Sequence, residues 1–194
     1  MDINKYKVVL ASASPRRKEL LEQVGVQFSV RPSECEELIE KDVPEEIVMK
    51  LALDKAMDVA RCSDFDTLVI GADTVVCAGG EILGKPKDEQ AAFDMISMIK
   101  NNTHSVFTGV ALILHRKKGD ILNNFFIETK VSVFDMTDDE IMSYIRTGEP
   151  MDKAGAYGIQ GRFAEYVEKI DGDYNNVVGL PVSAIMKSIK EMED

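Results

Sequence analysis

The run of apolar residues 8–11 turns at once into Ser14-Pro15, and this junction constrains the fold most. A short apolar run bounded by polar residues reads as a buried strand. Ser followed by Pro reads as a helix N-cap with proline in the first helical position. Leu20, Leu21 and Val24 continue a helical stripe, and Gly25 closes it. A second strand is expected at residues 28–31. The chain therefore opens by alternating strand and helix.

The alternation continues. Residues 44–61 carry Ile47, Val48, Leu51, Ala52, Ala56 and Val59 on one side, which predicts a helix. Residues 67–72 read as a buried strand. Residues 74–78 and 81–83 read as a hairpin around Gly79-Gly80, and residues 89–100 as another helix. Residues 106–115 and 121–133 are expected to pair around Lys117-Lys118-Gly119-Asp120. Thr137-Asp138-Asp139-Glu140 predicts a capping box for a helix to about Arg146. Residues 155–161 are expected as loop, with a strand near 164–169 and a terminal helix from Val182. Alternation followed by antiparallel pairs predicts an α/β fold with a mixed central sheet flanked by helices. With 194 residues and 45% hydrophobic content, residues 1–194 are expected to form a single domain, one-lobed or two-lobed.

Charge narrows the partners. Against 23 basic residues stand 34 acidic ones, a formal net of −11. This balance argues against broad binding to nucleic acid or to anionic membranes, and leaves room for a small anion held by a few local cations. No signal-peptide core and no long apolar run are present, so a soluble, cytoplasmic protein is expected. Cys35, Cys62 and Cys77 are odd in number and lack a CxxC spacing, as expected for reduced thiols.

Three segments break local folding preferences. Arg16-Arg17-Lys18 places cations in the opening turn of a helix, where the dipole disfavours them, and a docked anion would reverse that repulsion. The small residues Ala11 to Ser14 let a phosphate approach the backbone. A solvated basic helix end is the plain alternative. Asp73 follows an apolar strand, at the kind of position where α/β sheets line a ligand crevice. It is a candidate general base or metal ligand, or else a turn-forming residue. Glu34, Glu36 and Glu37 form an acidic run that suits either solvent or a hard divalent cation. Lys55 interrupts an apolar helix, and Lys85 follows Gly84 in a loop; each alone is a surface lysine. His104 and His115 are too few and too far apart for a zinc site.

Ser14-Pro15-Arg16-Arg17, Gly71-Ala72-Asp73-Thr74 and Gly84-Lys85-Pro86 resemble the Maf family. So does the block Glu149-Pro150-Met151-Asp152-Lys153-Ala154-Gly155-Ala156-Tyr157-Gly158-Ile159-Gln160-Gly161, with Ile170 to Tyr174 and Val178 to Pro181 completing the match. The resemblance covers nearly the whole chain. It departs at Lys100-Asn101-Asn102, where the family more often has Ser-Gly. It implies a Maf/ITPase-like fold with a nucleotide cleft between two lobes. The implied reaction is hydrolysis of a nucleoside triphosphate between the α and β phosphates, assisted by magnesium or manganese.

By the same resemblance Asp73 is the proton acceptor. Arg16, Lys55 and Lys85 surround the phosphates, Ser12 is the small residue before the turn, and Glu37 with Asp73 holds the metal. Arg17, Thr74 and Gln160 match the specificity positions of the branch that prefers dTTP and UTP over 7-methyl-GTP. A homodimer is a family expectation. The alternative is a nucleotide-sensing regulator of septum formation that does not cleave.

Overall fold

The computed structural model describes residues 3–36 and 43–192. The strands are β1 (Lys7–Leu10), β2 (Phe28–Val30), β3 (Thr67–Ala78), β4 (Glu81–Leu83), β5 (Asn102–His115), β6 (Ile121–Val133) and β7 (Val167–Asp171). The helices are α1 (Pro15–Gln23), α2 (Pro44–Ala60), α3 (Glu89–Ile99), α4 (Asp138–Ile145), α5 (Tyr174–Val178) and α6 (Val182–Glu191). The sheet is mixed and runs β2-β1-β3-β5-β6-β7, with β4 added to β3. β1 lies parallel to β2 and β3, whereas β4 on β3 and β7 on β6 are antiparallel. None of the helices is long and apolar enough to cross a membrane among the described residues.

The chain divides into two compact units. One comprises Met1–Asp73, Thr108–Ile127 and Gly179–Asp194; the other comprises Thr74–Phe107 and Glu128–Val178. In the first unit, Val9, Ala11, Val69, Ala111 and Ile113 present one sheet face to Ala52, Ala56, Val59 and Ala60 of α2. Asn123 and Asn124 are consecutive on β6 and therefore point to opposite faces. The Asn123 amide donates to Ser188 Oγ of α6 at 2.7 Å, and the Asn124 amide donates to the Met49 carbonyl of α2 at 3.3 Å. The two helices thus cover opposite faces of this unit's sheet. In the second unit α3 packs against α4. Phe163, with no exposed surface, is ringed by Tyr144, Tyr157 and Tyr166 at centroid distances of 4.8–5.7 Å.

Several sequence expectations need correcting. Residues 67–72 and 74–78 are not two strands but one continuous β3, so Asp73 lies inside a strand. The last strand begins at Val167, after a 3-10 helix over Arg162–Tyr166 that tucks Phe163 into its aromatic ring. α5 was not anticipated; its first turn is held by Asp173, whose carboxylate accepts from Asn175 N–H at 2.8 Å. At the Lys100-Asn101-Asn102 departure, Asn101 has φ +52, the left-handed region where Asn is among the few tolerated non-glycine residues. The proline at the start of α1 and the Thr137–Glu140 capping box stand where the sequence puts them.

Candidate active site

Two glycines set up the site in the first unit. A Cβ on Gly71 would press into the Ala52 carbonyl oxygen and lie 2.8 Å from Ala56 Cβ; one on Gly109 would strike the Val48 carbonyl. Without those side chains the α2 backbone lies directly on β3 and β5. Asp73 is two residues beyond Gly71, so its side chain rises on the same α2-covered face. There it meets Lys55, whose Nζ donates to Asp73 Oδ1 at 2.6 Å, with the side chains only 13% and 14% exposed. This is a short, charge-assisted hydrogen bond with little access to solvent. Two residues singled out separately in the sequence are therefore partners.

The other edge of Asp73 is governed by Arg17. The register of β1 on β3 ends at Leu10 opposite Ile70, and Ala11 N–H then donates to the Ile70 carbonyl at 2.8 Å. Past that point β1 has turned away toward α1. The Arg17 guanidinium donates from Nη1 to the Ala72 carbonyl at 2.9 Å and to Ser12 Oγ at 3.1 Å, and from Nε to the Gly179 carbonyl at 2.8 Å. Ser12, 8% exposed, also accepts from Ser14 N–H at 3.3 Å. The three cations of the first turn thus part company. Arg17 donates to two carbonyls and the Ser12 hydroxyl, Arg16 is half-buried, and Lys18 sits on the surface 3.7 Å from Glu22. The N-cap Ser14 side chain makes no capping hydrogen bond to the first turn of α1.

The acidic run is anchored at its start. Asp58 of α2 accepts from Ser33 Oγ at 2.8 Å and Glu34 N–H at 3.0 Å, and these bonds hold its carboxyl below the usual carboxylate range. Glu34 and Glu36 are exposed. Glu37 lies outside the described residues.

Thr74, half-buried, opens the second unit's share of β3. Exposed Lys85 sits in the loop after β4, and exposed Gln160 in the glycine-rich block. These two loops are tied together, since Gly155 N–H donates to the Gly84 carbonyl at 3.1 Å. Gly155 needs its φ of +67 and leaves no room for a side chain, because a Cβ would sit 2.9 Å from the Val76 side chain.

The block is also braced from within. The Glu149 carboxylate accepts from Tyr144 Oη at 3.0 Å and Arg162 N–H at 3.1 Å, and Lys153 Nζ donates to the Glu149 carbonyl at 2.6 Å. Tyr144 Oη accepts in turn from Gly158 N–H at 3.2 Å. Burial and the neighbouring Glu149 charge push the Tyr144 hydroxyl up, which keeps it a neutral donor.

Beneath the block, Tyr157 Oη lies 2.8 Å from His104 Nε2. His104 is 2% exposed, and burial lowers its pKa from 6.5 to about 4. The other histidine, His115, bonds Asp120 at 2.8 Å and stacks on Phe65. Sequence reasoning gave no role to Glu149, Tyr144, His104 or Tyr157. The visible clue was the crowding of glycines beside Glu149 in the block, since a Cβ on Gly161 would occupy the space of that carboxylate.

Among the described residues no group of three or more His, Cys, Asp or Glu side chains forms a ready-made cation cage. Magnesium does not require one, because one or two carboxylates complete its shell with water and phosphate oxygens. Asp73 offers hard carboxylate oxygen of the kind such an ion takes.

Comparison with known proteins places this geometry in context. The family described as Maf-like protein matches residues 7–192. A protein of Lachnoclostridium phytofermentans named dTTP/UTP pyrophosphatase is 48% identical over 187 residues, covering 96% of this chain and 95% of that one. A protein of the same name from Agathobacter rectalis is 49% identical over 199 residues, covering 96% and 97%. One from Bacillus cereus is 47% identical over 189 residues, covering 97% and 91%.

Proposed function

Because the chain belongs to the Maf-like protein family, we propose that it hydrolyses dTTP and UTP to the nucleoside monophosphate and pyrophosphate, with Asp73 as the general base. The relatives' shared name supports the reaction, and the Asp73–Lys55 pair carries the assignment of chemistry. Asp73 orients a water toward the α-phosphorus and takes its proton as the oxygen attacks. Arg16, Lys55 and Lys85 bind the departing pyrophosphate and stabilise its growing charge. Lys55 serves both partners. Its ammonium neutralises Asp73 before substrate arrives and is within reach of any phosphate oxygen that approaches the carboxylate.

Asp73, together with Glu37 by family resemblance, would hold a magnesium or manganese ion, which supplies charge neutralisation to the triphosphate when bound. Ser12 fixes the backbone turn before α1. Thr74 and Gln160 contact the nucleotide, and the Gln160 amide offers both donor and acceptor to a uracil or thymine edge. Arg17 is the third position by which the family resemblance marks the dTTP/UTP branch.

The test is a panel of nucleoside triphosphates, including 5-methyl-UTP and 7-methyl-GTP, assayed for pyrophosphate release with magnesium or manganese. Asp73→Asn is expected to lower turnover by about 10²–10⁴-fold while the protein stays folded. A fully active variant removes Asp73 from its role, and 7-methyl-GTP as best substrate removes the assignment of Arg17, Thr74 and Gln160. Nucleotide binding without any pyrophosphate release would favour a sensing module instead.

A further inference from the structure

Carbonyls of alternate residues on a strand point the same way. The Ile70 carbonyl points toward β1, where it accepts from Ala11 N–H, so the Ala72 carbonyl points to that side as well. No residue of β1 is paired with Ala72, because the register stops at Ile70. Arg17 supplies the donor that the strand no longer does, at 2.9 Å, on a residue with no exposed surface. The Ala72 carbonyl belongs to the peptide group whose nitrogen is that of Asp73. Fixing that oxygen fixes the plane from which the Asp73 side chain leaves the strand. Nε on the Gly179 carbonyl and Nη1 on Ser12 Oγ set the guanidinium's own orientation. A planar fork donating in several directions does this, and a single ammonium does not.

We propose that Arg17 is a positioning residue for Asp73, acting on turnover of every nucleotide through the Ala72 carbonyl rather than by reading the base. The inference rests on Asp73 being the general base. A misplacement of about 1 Å at a reacting group costs on the order of 10²-fold in rate. Arg17→Met is therefore expected to lower kcat by about that factor for dTTP, UTP and a purine triphosphate alike. KM and the ratios between nucleotides should change little. Arg17→Lys, which restores one donor, is expected to recover part of the loss.

The experiment measures kcat and KM for Arg17→Met, Arg17→Lys and Asp73→Asn on the three nucleotides, with thermal melts to establish folding. A uniform kcat loss with partial rescue by lysine supports the inference. Unchanged kcat in both Arg17 variants overturns it, as does a loss confined to one base or expressed as a raised KM. If Arg17→Met does not fold, Arg17→Lys decides by the same criteria. An active Asp73→Asn brings down the general-base reading itself, whereas an inactive Asp73→Asn beside a fully active Arg17→Met brings down only the positioning role.

Discussion

Gly71→Ala is a one-carbon change with a large expected effect. The added methyl would meet two backbone atoms of α2, the Ala52 carbonyl oxygen and the Ala56 nitrogen at 2.9 Å, as well as Ala56 Cβ at 2.8 Å. Ordinary van der Waals contact at such a carbon begins near 3.4 Å. Neither backbone atom can turn aside as a side-chain tip would, so the helix must retreat by roughly 1 Å or the strand must bow. Overpacking of this kind costs about 1–3 kcal/mol. For a chain of this size each kcal/mol lowers Tm by roughly 2–4 °C. The retreat also carries Lys55 away from Asp73, and a shift of that size is worth about 10²-fold in turnover. Differential scanning calorimetry and a pyrophosphate-release assay read the two effects. Gly84→Ala is the stability control, since a Cβ there meets nothing within 4 Å. A Gly71→Ala protein that melts with the wild type and keeps its kcat would refute the claim that glycine sets the distance between α2 and the sheet.

The depressed His104 pKa makes stability depend on pH. Between 6.5 and about 4 the unfolded chain binds a proton at this residue that the folded chain refuses, so stability is complete above 6.5 and falls as pH drops toward 4. The span corresponds to about 3 kcal/mol. Urea titrations at neutral and acid pH should show a shallower pH slope for His104→Gln than for wild type; equal slopes would exclude the effect. Glu149→Ala removes the acceptor for Tyr144 Oη and Arg162 N–H. It should cost roughly 1–3 kcal/mol by thermal melt, and a variant as stable as wild type would show that the brace is dispensable.

How much of this was legible in the sequence depends on how local the cause is. The proline of α1 and the Thr137 capping box are decided within one turn of chain, and both read correctly. From the sequence Asp73 is expected just after an apolar strand, whereas β3 continues through it, although aspartate is uncommon inside strands. In the fold its charge is met by Lys55 of α2, and no spacing rule announces that pairing. Arg17 stood out as a cation in an unfavourable place. Its answer, three oxygens on Ser12, Ala72 and Gly179, lies as far as 162 positions along the chain. The 3-10 turn before β7 follows from Phe163 seeking aromatic company, a demand set by tertiary packing.

The segmented make-up of the first unit bears on how the protein is born. Its core is shared by β1 near the amino end and α6 near the carboxyl end, where Val182, Ile185 and Ile189 are buried. A growing chain emerges amino end first. Until Gly179–Asp194 has left the ribosome, this unit lacks the helix that covers one face of its sheet and the Ser188 hydroxyl that receives Asn123. Folding of this unit therefore waits for the Gly179–Asp194 segment, and loss of α6 exposes sheet surface that the rest of the sequence was composed to hide.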